Sequence, residues 1–286
     1  MLKRSTAVNV QCDEYVNDLD IISRFPFAVG LDYKQQGPNK STAILDSTNT
    51  SVVMIQLRQA GSIVPESVFC LKNLQSLDIM NMFFVNNIVP DSLSNLQELY
   101  SLSMTNTPIK KMTDELGSLE KLQSLSLDKC SLSQLPNLSG LTNLTTLSLP
   151  NNQLSNLEGL TKLYSLHLYK NQFTEIPTLS VPEALIRLNM NYNPVVDMSY
   201  TLLFKNITEI RIAESNILVI PSHIFLLKRL SFLDLSHTQI TRIPRGILNL
   251  PYLQYLVVQR NQITQEEADS FKTELLNSKT KINLLI

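Results

Sequence analysis

Tryptophan is absent from the chain, and histidine and cysteine occur only three times each. No Cys-x-x-Cys pair and no histidine pair at metal-ligand helical spacing exist, and no glycine-rich loop is built to cradle a phosphate. These absences exclude the common metal, nucleotide and nucleophile motifs, so no catalytic residue, no metal and no cofactor is expected, and the protein reads as not an enzyme. The cysteines, Cys12, Cys70 and Cys130, are an odd and sparse set, which is no disulfide framework. They read as reduced thiols in a reducing compartment; a Cys12–Cys70 bridge fastening the N-terminal end stays open as the alternative. Charge is equally scarce: 17% of residues are charged, and the net charge is −1. That removes the electrostatic case for nucleic acid or an anionic membrane as partner. With 7 glycines and 13 prolines, long flexible linkers have little room. No apolar run reaches bilayer length, since Phe25 to Leu31 is far too short, and Ser5 to Asp20 lacks the apolar run of a signal peptide. Membrane insertion is not expected. The expected location is cytoplasmic, with an extracellular one as the alternative if the true start lies upstream.

What the chain has in abundance is leucine at fixed intervals. Leu122 to Leu132 reads LxxLxLxxCxL, and Leu144 to Leu154 reads LxxLxLxxNxL. Extended both ways, the pattern gives ten units opening at Val52, Leu74, Leu99, Leu122, Leu144, Leu163, Leu185, Ile207, Leu230 and Leu253. A period of this length marks a stacked repeat architecture. Within each unit the alternating leucines of LxLxx predict a short strand with one buried face. Stacked units then form one parallel sheet, which needs cover on its inner side. Residues such as Ile224, Leu227 and Leu230 in the return segment after Pro221 supply it. Each buried leucine contributes roughly 1.5–3 kcal/mol, so a stack is stable where one unit is not.

The ninth motif position turns the chain out of the strand, where a buried polar side chain can satisfy backbone groups of neighbouring turns. The expected ladder is Thr107, Cys130, Asn152, Asn171, Asn193, Ser215, Thr238 and Asn261. Ala60 and Met82 fill the position in the first two units, where the ladder should be loosest.

On these residues the chain resembles the leucine-rich-repeat proteins. Leu138 to Leu147 is similar to the 22-residue class of bacterial internalins and of a regulatory subunit of protein phosphatase 1. Ile220-Pro-Ser-His-Ile and Ile243-Pro-Arg-Gly-Ile resemble the 23-residue class of intracellular scaffold and Ras-pathway proteins. Ile63-Val-Pro-Glu-Ser-Val and Ile88-Val-Pro-Asp-Ser-Leu are similar to the 24-residue class of plant receptors. The resemblance implies an α/β right-handed solenoid, a horseshoe with a parallel concave β-sheet and short helices or turns on the convex side. It also implies that the concave face binds a protein or peptide.

The ends depart from the repeat. Val16, Leu19, Ile22 and Phe25 predict a helix over 13–24 with one apolar stripe. A loop is expected at 35–41, then a hairpin of Ala43–Leu45 with Val52–Ile55, similar to the N-terminal hairpin of plant-type repeats. Residues 1–51 are expected to cap the first coil, 52–276 to hold the repeats, and 277–286 to add a capping strand, all in one continuous domain. Gln265 to Asn277 reads as a helix, with acidic residues near its start matching the dipole. Five glycosylation sequons, at Asn39, Asn49, Asn137, Asn143 and Asn206, acquire meaning only in a secreted protein.

The outward residues between the strand leucines divide the chain. Early units offer Ser101, Ser103, Thr105, Ser124 and Ser126. Later ones gather His167, Tyr169, Arg187, Tyr192, Arg211, Phe232, Asp234, His237 and Tyr255. Tyrosine and arginine are enriched at binding hot spots, so these nine are the expected partner-binding residues. Phe232 and Tyr255 share one column and could also simply pack on each other. His167 and His237 lie three coils apart, roughly 14 Å, too far to share a zinc ion; His223 is expected to be solvated. The predicted function is a protein-binding module with a regulatory or scaffold role, or alternatively an extracellular receptor-type ectodomain.

Overall fold

The computed structural model describes residues 10–31, 40–278 and 280–286. They divide into two compact units, Met1–Leu144 and Thr145–Ile286.

Unit 1 holds six strands: β1 (Val29–Gly30), β2 (Ser41–Leu45), β3 (Val52–Leu57), β4 (Ser76–Met80), β5 (Ser101–Thr105) and β6 (Ser124–Asp128). They pair in chain order. β2 and β3 form an antiparallel hairpin, while β1 joins β2, and β4, β5 and β6 follow β3, all in parallel. Leu77, Leu102 and Leu125 stand in register across β4, β5 and β6, and all three are fully buried. The returns are short 3-10 turns at Glu66–Cys70, Asp91–Asn95 and Asp114–Ser118. Pro65 and Pro90 precede the first two at φ −63° and −76°, the value the proline ring fixes.

The N-terminal residues cover the first coil differently from expectation. The helix α1 spans only Asp18–Ser23, after a 3-10 turn at Cys12–Glu14. Asn17 caps it, its side chain accepting the Asp20 N–H at 2.9 Å. Ile21, Ile22 and Phe25 are buried, whereas Val16 and Leu19 are exposed. The helix is too short for a three-residue stripe, so adjacent isoleucines do the packing. Cys12 and Cys70 form a disulfide. The reading of three reduced thiols is thereby corrected: the two cysteines, 58 positions apart in sequence, meet in the fold. The loop expected at 35–41 falls, up to residue 39, outside the described residues, as does the Asn39 sequon.

Unit 2 holds seven strands, all parallel and three residues each: β7 (Thr146–Ser148), β8 (Ser165–His167), β9 (Arg187–Asn189), β10 (Glu209–Arg211), β11 (Phe232–Asp234), β12 (Tyr255–Val257) and β13 (Asn283–Leu285). The return after β7 has no helical turn, in keeping with the shortest unit spacing, Leu144 to Leu163. Later returns carry 3-10 turns at Ser199–Leu203, Ser222–Leu226 and Arg245–Asn249. There Ile224, Leu227 and Leu230 are buried beneath the sheet. The helix α2 covers Gln265–Asn277. Thr264 caps it, with Oγ1 accepting the Glu267 N–H at 3.2 Å. Its buried Ala268 and Phe271 seat it on the last coil, and Arg245 pairs with Glu267 at 2.7 Å and Glu274 at 2.6 Å. The parallel strands stacked at one per repeat make this a leucine-rich-repeat solenoid fold.

Candidate functional site

Strand register decides which outward side chains meet. In unit 2, Ser165, Arg187, Glu209, Phe232 and Tyr255 are successive partners in one column. His167, Asn189, Arg211, Asp234 and Val257 form the next.

The first column is laced to the second. Arg211 forms an ion pair with Glu209, and Arg187 approaches the other oxygen of the same carboxylate at 3.9 Å. The Arg211 guanidinium lies 4.3 Å above the Phe232 ring centre, and Phe232 meets Tyr255 at 5.8 Å between centres. Arg187, Glu209, Arg211, Phe232 and Tyr255 are thus one chain of contacts across four strands. Phe232 is half-buried in that chain, so it supports its neighbours more than it stands out as an anchor. Tyr169 meets Tyr192 edge-on at 5.1 Å, and His237 Nδ1 lies 3.0 Å from Glu214. Asp234 accepts the backbone and hydroxyl hydrogens of Ser236 at 3.0 and 2.7 Å.

His167 is hydrogen-bonded to Ser165, with 2.7 Å between Nε2 and Oγ. Burial holds its pKa below the ordinary histidine value. Glu209 opposes the shift, while Arg187 and Arg211 reinforce it. His223 is half-buried, and its Nε2 is 3.0 Å from Thr201 Oγ1. That corrects the expectation of a solvated ring, and burial again lowers its pKa.

Glu209 and Glu214 tie neighbouring coils of this surface together, while Asp234, the acidic group among the expected binding residues, bonds Ser236 in its own coil. Glu209 and Glu214, which the sequence sets beside Arg187 and Arg211 on a face of mixed charge, were not counted as binding residues. The signal for Glu209 was available: the motif places it between Arg187 and Phe232 in one column, where a carboxylate would answer both arginines.

The residue one place before the ladder has positive φ in coil after coil. In unit 1 these are Asn81, Asn106 and Lys129; in unit 2 they are Asn151, Lys170, Tyr192, Glu214, His237 and Arg260. Asparagine visits this left-handed region readily, and longer side chains do so at a cost. Beneath them lie the ladder side chains. Asn171 donates to the Leu149 and Leu168 carbonyls at 2.7 and 3.1 Å and accepts the Leu154 N–H at 3.0 Å. Asn193 makes the same three contacts with Leu168, Met190 and Phe173 at 2.8, 3.0 and 3.0 Å. Asn261 donates to Leu235 and Val258 and accepts from Ile240 and Thr238, while Asn152 donates to Leu149 and Pro150. The shorter residues reach less. Ser215 donates to the carbonyl three residues back, the single hydroxyl proton of Thr238 is shared between the Leu235 carbonyl and Asn261, and Thr107 reaches Thr105, at 3.3 Å. Cys130 sits 3.4 Å from the Met104 carbonyl, and burial pushes its thiol pKa up to about 12. A thiol held that protonated is no nucleophile.

On unit 1 the equivalent columns are Ser76, Ser101, Ser124 and Asp78, Ser103, Ser126. Asp78 is held by Arg58 at 2.9 Å. No group of acidic, histidine and cysteine side chains among the described residues could hold a metal ion, and no described helix is long and apolar enough to cross a membrane.

The Leucine rich repeat family matches residues 205–263. No curated protein matches the chain. Among solved structures, the chain is similar to a leucine-rich-repeat protein of Leptospira interrogans, at 21% identity and a TM-score of 0.50, over 80% of this chain and 76% of that one. It is also similar to an internalin of Listeria monocytogenes, at 21% identity and a TM-score of 0.53, over 85% of this chain and 64% of the internalin. The plant peptide hormone receptor RGFR1, solved in complex with RGF2, gives 20% identity and a TM-score of 0.56, over 77% of this chain and 39% of the receptor. At such identities the likeness establishes the fold.

Proposed function

Starting from a chain of the leucine-rich-repeat superfamily, we propose that the strand face of unit 2 binds a protein or peptide partner, and that the protein acts by recognition, as a regulatory or scaffold component, with no catalytic step of its own. The carrying observation is a pair of exposed tyrosines with packed rings beneath them. Tyr192 is 47% exposed and rests on Tyr169; Tyr255 is 43% exposed and rests on Phe232. Rigid aromatic surface of this kind gives contact area at small entropic cost. Residues 1–51 serve in this reading as the cap of the first coil, and the buried ninth-position side chains as its internal ladder.

The disulfide favours a second reading of where this happens. Disulfides persist in oxidising compartments and are rare in the cytosol. A Cys12–Cys70 bridge therefore supports an extracellular recognition domain over a cytoplasmic scaffold. The exposed sequons at Asn49, Asn137 and Asn143 are compatible with it.

The test is affinity capture with mass spectrometry. Wild type is compared with a variant carrying Tyr169, Tyr192, Arg211 and Phe232 all changed to Ala, both verified as folded by thermal melts. A partner held by wild type and lost by the variant supports the reading; identical captures count against it. Thiol counting and glycan mapping on native material decide the compartment. One free thiol, with glycan at Asn143, supports the extracellular form, and three free thiols with no glycan support the cytoplasmic one.

A further inference from the structure

The charges on the strand face of unit 2 are unequal in how they are engaged. The acidic groups are occupied and withdrawn. Glu209, whose side chain is 27% exposed, lies between two arginines; Glu214, 35% exposed, faces His237; Asp234 is taken by Ser236. The cations stand outside them. The Arg187 side chain is 63% exposed and touches Glu209 only at 3.9 Å. Lys170 and Arg260 are exposed, with no ion-pair partner among the described residues. What this face offers to solvent is positive charge beside Tyr192 and Tyr255.

A second observation is independent of charge. Lys170, Tyr192 and Arg260 occupy the left-handed backbone position, at φ 55°, 60° and 54°. Asn81, Asn106 and Asn151, with the side chain that tolerates it best, fill the same place in three other coils, and Lys129, Glu214 and His237 fill it in three more. Side chains kept where a less strained one is available are expected at binding sites.

We propose that unit 2 takes an extended peptide segment bearing acidic side chains, laid across β8 to β12. Arg187, Lys170 and Arg260 receive its carboxylates, and Tyr192 and Tyr255 pack against its backbone and apolar groups. The inference rests on the reading of this face as a protein-binding surface and adds the chemistry of the ligand. Lys170 and Arg260 belong to coils four strands apart, roughly 19 Å, which about six residues of extended chain would span. Acidic side chains about six residues apart are therefore the expected signature, and affinity should fall as salt is raised.

The test is selection from a phage-displayed library of random 12-residue peptides against the whole protein. It is repeated with a charge variant (Lys170→Asn, Arg187→Gln, Arg260→Asn) and a ring variant (Tyr192→Asn, Tyr255→Thr). Enrichment of acidic peptides whose synthetic forms bind the charge variant at least tenfold more weakly supports the proposal. Neutral or basic peptides that are lost on the ring variant would overturn the acidic ligand and leave the binding surface standing. Peptides indifferent to both variants would overturn the surface itself. Equal competition by heparin or a single-stranded oligonucleotide of matched charge would reveal an unselective polyanion site and also overturn it. Melts give a separate readout. Lys170→Asn and Arg260→Asn should keep or raise Tm while weakening the acidic peptide; a lowered Tm would make both residues structural and overturn their assignment to the ligand.

Discussion

The two units run the same repeat with different contents. Unit 1 presents Ser101, Ser103, Ser124 and Ser126 on strands five residues long, and its N-terminal end is stapled by Cys12–Cys70. Unit 2 presents rings and guanidinium groups on strands three residues long, above a ladder made mostly of asparagine. The asparagine reaches both ways, donating to two carbonyls and accepting an N–H of the coil before it, so it ties coils together where Thr107 closes only its own turn. The repeat frame is indifferent to what points outward, because burial is set by the inward leucines alone. Outward positions are thereby free to differ, and they do: serine on β5 and β6, arginine and aromatic side chains on β9 to β12.

The contrast can be broken first at the staple. Replacing Cys12 and Cys70 by Ala should cost about 4 kcal/mol by chain entropy for a loop of this size, read as a lower denaturation midpoint. Hydrogen exchange should show the loss in unit 1, with unit 2 retaining its protection. Uniform loss through both units would mean that the staple governs the whole chain.

The ladder gives the next largest effect. Asn193→Ala leaves the buried Phe173 N–H without its acceptor and should cost roughly 2–3 kcal/mol. Thr107→Ala, with one long side-chain bond to lose, should cost about 1 kcal/mol or less. Urea titration of both compares them; equal costs would remove the distinction between the two ladders.

Exchanging the left-handed residues sharpens the comparison further. Tyr192→Asn relieves strain in unit 2 and should stabilise by about 1 kcal/mol or less. Asn106→Tyr imposes the same strain on unit 1 and should destabilise by a similar amount. Calorimetry should therefore give Tm shifts of opposite sign. Shifts of the same sign would show that contact with Tyr169 outweighs the backbone.

The smallest effect is on pH dependence. All three histidines lie in unit 2, and burial holds His167 and His223 below the ordinary value of 6.5. The folded state then binds fewer protons than the unfolded chain does. The resulting stability is fully present above pH 6.5 and is lost as pH falls through the unfolded value and below. Between pH 7.5 and 5.5 the melt of wild type should decline more than that of a His167→Gln, His223→Gln variant. Parallel declines would assign the acid sensitivity to carboxylates.

Much of this was written in the chain itself. A solenoid coil touches only its neighbours, so a local period suffices to give strand positions, burial alternation and register; from these follow β3 to β12 and the column that joins Phe232 to Tyr255. Helix α2 was equally legible from its acidic first turn. Tertiary structure alone decided the rest. Spacing could not choose whether Cys12 would meet Cys70, since that depends on how residues outside the repeat fold back over the first coil. The same folding selected Ile21 and Ile22 over Val16 and Leu19 as the buried face of α1. Composition also placed Arg187, Arg211, Phe232 and Tyr255 on one surface without ranking them. Only the packing of the folded chain sets Glu209 against both arginines, Phe232 under Arg211, and Arg187 facing solvent, because side-chain contacts between strands depend on distances of a few ångströms that no periodicity encodes.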